Sequence, residues 1–385
     1  MTVPAPRLAL AAGVAELGTE SAFSVLARAR ELQAAGRDVV HLEIGEPDFP
    51  TPPHVAEAAW AAIREGETGY CPSAGIPELR KAAARELSRS RGIAVEPERV
   101  LVANGAKPLL FFTILATCGP GDEVVHPDPG FPIYASAIRW AGATPVGYGS
   151  VGELEGCLSA RTRLVILNSP SNPTGEVLDA QTLEQAAALI APTEAWVLAD
   201  EVYSRLLYDD AFASIASVPG MLERTVVLDS CSKTHAMTGW RCGYAAVPEA
   251  LVEPLTRFFV NSTSCVPPFV QRAAIAALEG PQDHVAAMLA EFRARRDLLV
   301  AGLDALEGVT CAEPRGAFYA WPDVSGVPLG ADELAVRLLE EAGVAVLAGS
   351  AFGAAGADHL RLSYAASRTD LTEAVERMGK LLAGL

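Results

Sequence analysis

No stretch of this 385-residue chain is long and apolar enough for a membrane helix: the longest apolar run, 109–118, falls well short of the roughly 20 residues a span requires. A weaker apolar stretch at 8–15 has only Arg7 ahead of it and is closed by Glu16, which fits an amphipathic first helix better than a secretory leader. Cysteine is sparse, seven residues with no CxxC spacing. An odd, scattered set matches neither a disulfide framework nor a zinc site, so no metal is expected and the thiols suit a reducing, cytoplasmic compartment. Basic charge is also scarce: 30 Lys and Arg stand against 47 Asp and Glu, a net charge of -17. No basic cluster offers a face to nucleic acid. Repeats and low-complexity tracts are absent, which sets aside solenoid architectures.

What is present is an ordinary globular composition, half hydrophobic and one-fifth charged, in a chain long enough for two domains around a shared site. Between about 98 and 247, apolar runs beginning at Val100, Glu123, Thr144, Leu164, Trp196, Thr225 and Arg241 alternate with helical patterns. Continuous apolar strands separated by helices predict an open α/β architecture with a mainly parallel, seven-stranded sheet covered on both faces. Ligands in such sheets sit beyond the carboxyl ends of the strands. The segments there are polar and glycine-rich: Asn104-Gly-Ala-Lys, Pro127-Asp-Pro-Gly-Phe, Asn168-Ser-Pro-Ser-Asn-Pro-Thr-Gly, Asp200-Glu-Val-Tyr and Ser230-Cys-Ser-Lys-Thr. After about 282 a long charged helix (285–306), a strand-like run at 316–321, a helix at 331–342 and strands near 344–347 and 359–364 predict a smaller α+β domain. The first fifty residues, with a helix at 22–35 and a strand at 39–44, are expected to join it, giving 1–50 as arm and part of the small domain, 51–282 as the large domain and 283–385 as the small one.

Several residues in these segments could carry chemistry. Lys233 follows a strand, where lowered basicity would make its amine a nucleophile toward a carbonyl; a lysine taken alone at such a position is far more often a solvated surface charge. Asp200 ends an apolar strand, suited to a protonated pyridine nitrogen or, with the helical pattern after it, to capping a helix. Gly105, Ala106 and Lys107 lie at a strand-to-helix turn whose backbone N–H groups would face a phosphate, with Ser230 and Arg241 able to complete the cradle. Phe131 could stack on a ring, as could Tyr134, or either could simply fill the core. Asn172 and Tyr203 could both bond one phenolic oxygen, and the neighbouring prolines allow cis peptide bonds. Arg361 alternates with apolar residues on a strand and presents a planar donor suited to an α-carboxylate or to a structural ion pair.

Taken together and in order, Gly45-Glu-Pro-Asp-Phe, Tyr70 with Gly75-Ile-Pro-Glu-Leu-Arg, Asn104-Gly-Ala-Lys, Asn172-Pro-Thr-Gly, Asp200-Glu-Val-Tyr, Ser230-Cys-Ser-Lys through Gly239-Trp-Arg, and Arg361 resemble the class I/II aminotransferases of fold type I, aspartate aminotransferase-like members among them. The resemblance covers nearly the whole chain. It implies pyridoxal 5'-phosphate as cofactor, held as a Schiff base on Lys233, which then moves a proton between the substrate Cα and the cofactor. It further implies that Asp200 holds the pyridine nitrogen, Tyr203 and Asn172 the phenolic oxygen, and Phe131 the ring face, where the family often has tryptophan. Gly105, Ala106, Lys107, Ser230 and Arg241 would hold the phosphate, helped by Tyr70 of a neighbouring subunit in a homodimer, while Arg361 and the backbone of Gly45, beside Asn172, would bind the substrate. One departure stands out: Ala348-Gly-Ser-Ala-Phe-Gly lies where proline-glycine often precedes the serine.

The implied reaction moves the amino group of an α-amino acid to a 2-oxo acid. No second basic residue identifies itself as a partner for a distal carboxylate, and none at all occurs between Lys107 and Arg139, so neither substrate is named. A pyridoxal-phosphate-dependent carbon-sulfur β-lyase would use the same lysine, aspartate and arginine. A ligand-sensing module of a transcription regulator would need a DNA-binding domain, for which the sequence shows no basic helix-turn-helix.

Overall fold

The computed structural model describes residues 12–209 and 211–385. The helix expected over 8–15 therefore lies largely outside the described residues, and Ala12–Glu16 is a short 3-10 turn. All seven apolar runs form strands of one sheet, in the order Val100–Ala103, Gly243–Ala246, Thr225–Ser230, Trp196–Asp200, Thr162–Asn168, Glu123–Pro127, Thr144–Tyr148. Neighbours are parallel except that Gly243–Ala246 runs antiparallel to both of its partners. Burial on both faces explains the unbroken apolar character of the inner strands; the edge strand Thr144–Tyr148 is only partly buried. Val124 and Leu164 pack with Leu109, Tyr134 and Ile138 on one face. Their chain neighbours Val125 and Val165 pack with Leu183 and Ile190 on the other.

A second layer joins the two ends of the sequence. Val40–His41 pairs in parallel with Val344–Ala345. Leu347–Ala348, Leu360–Ser363 and Tyr319–Ala320 form a small antiparallel sheet. Its core is built from Leu42, Phe292, Phe318, Leu362 and Met378, with Tyr203 and Leu206 inserted from the large-sheet side. The helices Asp283–Asp304 and Arg368–Leu382 supply the outer wall.

Three expectations change. The strand expected at 39–44 pairs over two residues only, because the following carbonyls are turned to other donors: Leu42 accepts from the Ser363 N–H at 2.7 Å, Glu43 from Arg361 and Gly45 from Lys233. The helix at 331–342 is α-helical over Ala331–Arg337 and widens to a π turn over Leu338–Ala342. No helix follows Asp200; residues 202–205 form turns, since Glu201 is drawn inward to Arg91, which lies 2.9 Å away.

Candidate active site

The carboxyl ends of the parallel strands open into a cavity bounded on its far side by the second layer. Because Gly243–Ala246 is antiparallel, Arg241, two residues before its start, reaches the same edge as the residues just after the other strands. Gly45, Ala106, Lys107, Phe131, Asn172, Asp200, Tyr203, Ser230, Lys233, Arg241 and Arg361 all line this cavity. Gly105 sits directly behind Arg241. Tyr70, 93% exposed, stands apart on the surface.

Lys233 sits on the short helix Cys231–Thr234, capped by Ser230, whose Oγ accepts from the Ser232 N–H at 3.1 Å. The Lys233 amine donates to the Gly45 carbonyl. Burial, reinforced by the Arg361 cation, lowers its pKa to about 8. Roughly a tenth is then the free amine at pH 7, the nucleophilic form, against far less for an ordinary lysine.

Asp200 is buried at the end of its strand. Tyr134 donates to its Oδ2 at 2.6 Å, while Oδ1 is buried with no partner. Burial raises the carboxyl to about 6 against the opposing Tyr134 hydrogen bond. A buried acceptor without a donor is costly, so Oδ1 is prepared for a cationic N–H from a bound group. Arg361 shows the complementary feature. Its Nη2 donates to the Glu43 carbonyl and its Nη1 lies 3.4 Å from Asn172 Oδ1, yet Nε is buried and unpartnered. The guanidinium is held between Tyr319 at 4.6 Å and Phe352 at 5.1 Å, and burial lowers its pKa. Phe352 belongs to the 348–353 loop noted for its departure, so that loop does touch a site residue.

The turn before the helix Ala106–Thr117 forms the third part. Gly105 has φ +91°, and a Cβ there would lie 2.3 Å from Arg241 Nη2. Arg241 itself has φ 57°, a strained conformation for a residue with a side chain. Its Nη1 donates to the Thr238 carbonyl at 2.6 Å, which aims the guanidinium across the helix N-terminus. Helix N–H groups and an arginine fork together form an anion cradle. The side chain of Lys107 turns elsewhere, to Glu20, so only its backbone faces that cradle.

Two further residues line the cavity without a sequence signal, Tyr319 and Glu20. Tyr319 shares a hydrogen bond of 2.7 Å with Tyr203, both hydroxyls being pushed to higher pKa by burial. Tyr134, whose ring is a candidate for stacking, acts through its hydroxyl on Asp200. The peptide bonds Ser169-Pro170 and Asn172-Pro173 are cis.

A Lewis-base amine, an unpartnered carboxylate oxygen and an anion cradle in one cavity fit a phosphorylated pyridine aldehyde. Residues 37–378 match the model of the aminotransferase class I and II family. The chain belongs to the class I and II aminotransferases. It is 39% identical to an aspartate/prephenate aminotransferase of Cereibacter sphaeroides, over 97% of this chain and 98% of that one. An aspartate aminotransferase of Geobacillus stearothermophilus is 38% identical, with 97% and 98% covered. Among solved structures, the aspartate aminotransferase of Thermus thermophilus with maleate superposes with a TM-score of 0.93 at 37% identity, covering 97% of this chain and all of that one. The fold is therefore fold type I and the enzyme a pyridoxal-phosphate-dependent transaminase acting between α-amino and 2-oxo acids; the β-lyase alternative is not favoured by these matches.

Proposed function

We propose that each site residue serves this aminotransferase in the following way. The Lys233 amine attaches the cofactor and afterwards moves the proton at the substrate Cα. Asp200 Oδ1 holds the protonated pyridine nitrogen, and Tyr134 keeps the carboxylate in place. Tyr203 and Asn172 bond the phenolic oxygen, and Phe131 covers the ring. Gly105, Ala106, the Lys107 backbone, Ser230 and Arg241 hold the phosphate. Arg361 clamps the substrate α-carboxylate, with Asn172 and the backbone of Gly45 beside it. Pyridoxal phosphate, when bound, supplies an aldehyde carbon for amines and a ring that accepts the electron pair left on Cα.

The observation that carries this assignment is the pair of buried, unpartnered atoms, Asp200 Oδ1 and Arg361 Nε, lining the same cavity as the Lys233 amine. Each lacks what the cofactor or substrate brings, a cationic N–H for one and an anionic acceptor for the other. Asp200 near its midpoint at about 6 becomes fully ionised once a cation lies against it, which strengthens the grip on the ring.

The reading extends to organisation. Residues 51–282 form the large domain, 283–385 with part of 1–50 the small one, and exposed Tyr70 reaches the phosphate of a neighbouring subunit in a homodimer. Seven free cysteines suit a cytoplasmic enzyme, and among the described residues no helix is long and apolar enough to cross a membrane.

The test is direct. Borohydride reduction of the holoenzyme should fix the cofactor on Lys233, and Lys233→Ala should abolish the reducible link. Label on another lysine would refute the assignment, and spectral silence toward every α-amino acid would refute the function.

A further inference from the structure

The roles above account for Asp200, Lys233, Arg241 and Arg361 among the charged side chains lining the cavity, and Glu46 accepts from the Thr238 hydroxyl. Two charges remain, Glu20 and Lys107, and they are bound to each other. Glu20 immediately precedes the helix Ser21–Ala34, while Lys107 lies in the first turn of Ala106–Thr117, so the pair ties the N-terminal segment to the cofactor-binding helix. The Lys107 ammonium stands 5.6 Å from the centroid of the Phe131 ring. The Glu20 side chain is only 17% exposed, and its charge is felt at Lys233, Arg361 and Tyr319. Electrostatically it belongs to the site.

With Arg361 on the α-carboxylate, a second carboxylate on a substrate side chain has one unassigned cation among the described residues that line the cavity, and that cation already carries a carboxylate from the protein. An acidic side chain must displace Glu20 or share Lys107 with it at the cost of like-charge repulsion. An uncharged side chain leaves the ion pair intact and meets Ala22 and Phe23, which line the cavity next to Glu20. On the basis of the aminotransferase reading, we propose that Glu20 is a specificity-determining residue: it competes with acidic side chains for Lys107 and favours substrates whose side chains are uncharged.

The experiment compares kcat/KM for aspartate and its uncharged isostere asparagine in half-reactions of the holoenzyme, followed by loss of the internal cofactor absorbance. Glu20→Gln keeps the shape and removes the charge. The aspartate-to-asparagine ratio should rise about three- to fivefold, the upper part of the range expected for releasing a partly exposed ion pair. In a Lys107→Gln background the same Glu20→Gln change should leave the ratio within about twofold, since nothing remains to compete for. An unchanged or lowered ratio in the single variant, or a rise that persists without Lys107, would overturn the proposal. Wild-type turnover of asparagine or alanine keeps these outcomes separate from failure of the function itself: if no amino acid reacts in any variant, both readings fall together.

Discussion

Replacing Arg91 by methionine isolates the support beneath the site. Arg91 ends the helix Pro77–Arg91 and is 4% exposed, with Nε 2.9 Å from Glu201 Oε2 and Nη2 2.5 Å from Asp229 Oδ2. Those carboxylates adjoin Asp200 and Ser230, so one guanidinium ties together the ends of two central strands. Removing one member of a buried ionic cluster leaves the others without compensation, at about 3–5 kcal/mol. The cost should depend on pH. Burial holds the Glu201 carboxyl at about 7 and also raises Asp229, with Arg91 restraining both. A carboxyl whose folded pKa lies above its unfolded value of about 4.5 contributes stability that is complete below that value and is lost as pH rises through the folded pKa. In wild type the Glu201 contribution levels off above pH 7. Without Arg91 the folded pKa moves higher still, so the loss continues, by up to about 1.4 kcal/mol per group for each further pH unit. Reversible denaturant melts at pH 6 and pH 8 measure this directly. The destabilisation should be larger at pH 8, and a cost below about 1 kcal/mol, or one equal at both pH values, would refute the reasoning.

Two other perturbations probe the cavity itself. Gly105→Ala places a Cβ where Arg241 Nη2 now lies, so the guanidinium must move, and it does so at φ +91° and ψ 173°, a region all but reserved for glycine that costs other residues about 1–3 kcal/mol. Cofactor affinity, titrated into the stripped protein, should fall at least about tenfold, and unchanged binding would remove Gly105 and Arg241 from the phosphate site. Arg361→Lys keeps the charge but loses the planar fork between Tyr319 and Phe352, so kcat/KM for α-amino acids should drop about 10–100-fold while cofactor affinity stays constant. Activity within about threefold of wild type would show that the α-carboxylate binds elsewhere.

The large sheet was legible because its strands are buried on both faces, and an unbroken run such as Val100–Ala103 or Leu164 to Leu167 has no surface face to dilute it. The same pattern misleads at the second layer. Residues 42–45 continue an apolar extended run, yet their carbonyls serve Ser363, Arg361 and Lys233, contacts made across more than 180 positions that no local signal announces. The turn after Asp200 fails for a related reason, since a buried arginine from position 91 overrides the helical pattern after Asp200. In the site, ordered motifs marked most of the residues that line the cavity. Tyr134, Tyr319 and Glu20 line it too, but each is held there by a partner at a sequence separation of 66, 116 or 87, which no local motif announces.

The pairing of Val40–His41 with Val344–Ala345 also bears on how the protein is made. The segment from 40 to 45 emerges early from the ribosome, but its strand partner follows about three hundred residues later and Arg361 later still. The large sheet, complete at residue 246, can assemble while synthesis continues. The Glu43 carbonyl that receives Arg361 must meanwhile wait, solvated, for the last part of the chain. Nascent chains halted before residue 344 would therefore carry a folded sheet and an open, unclosed cavity, and closure of the catalytic pocket would be among the final events of biosynthesis.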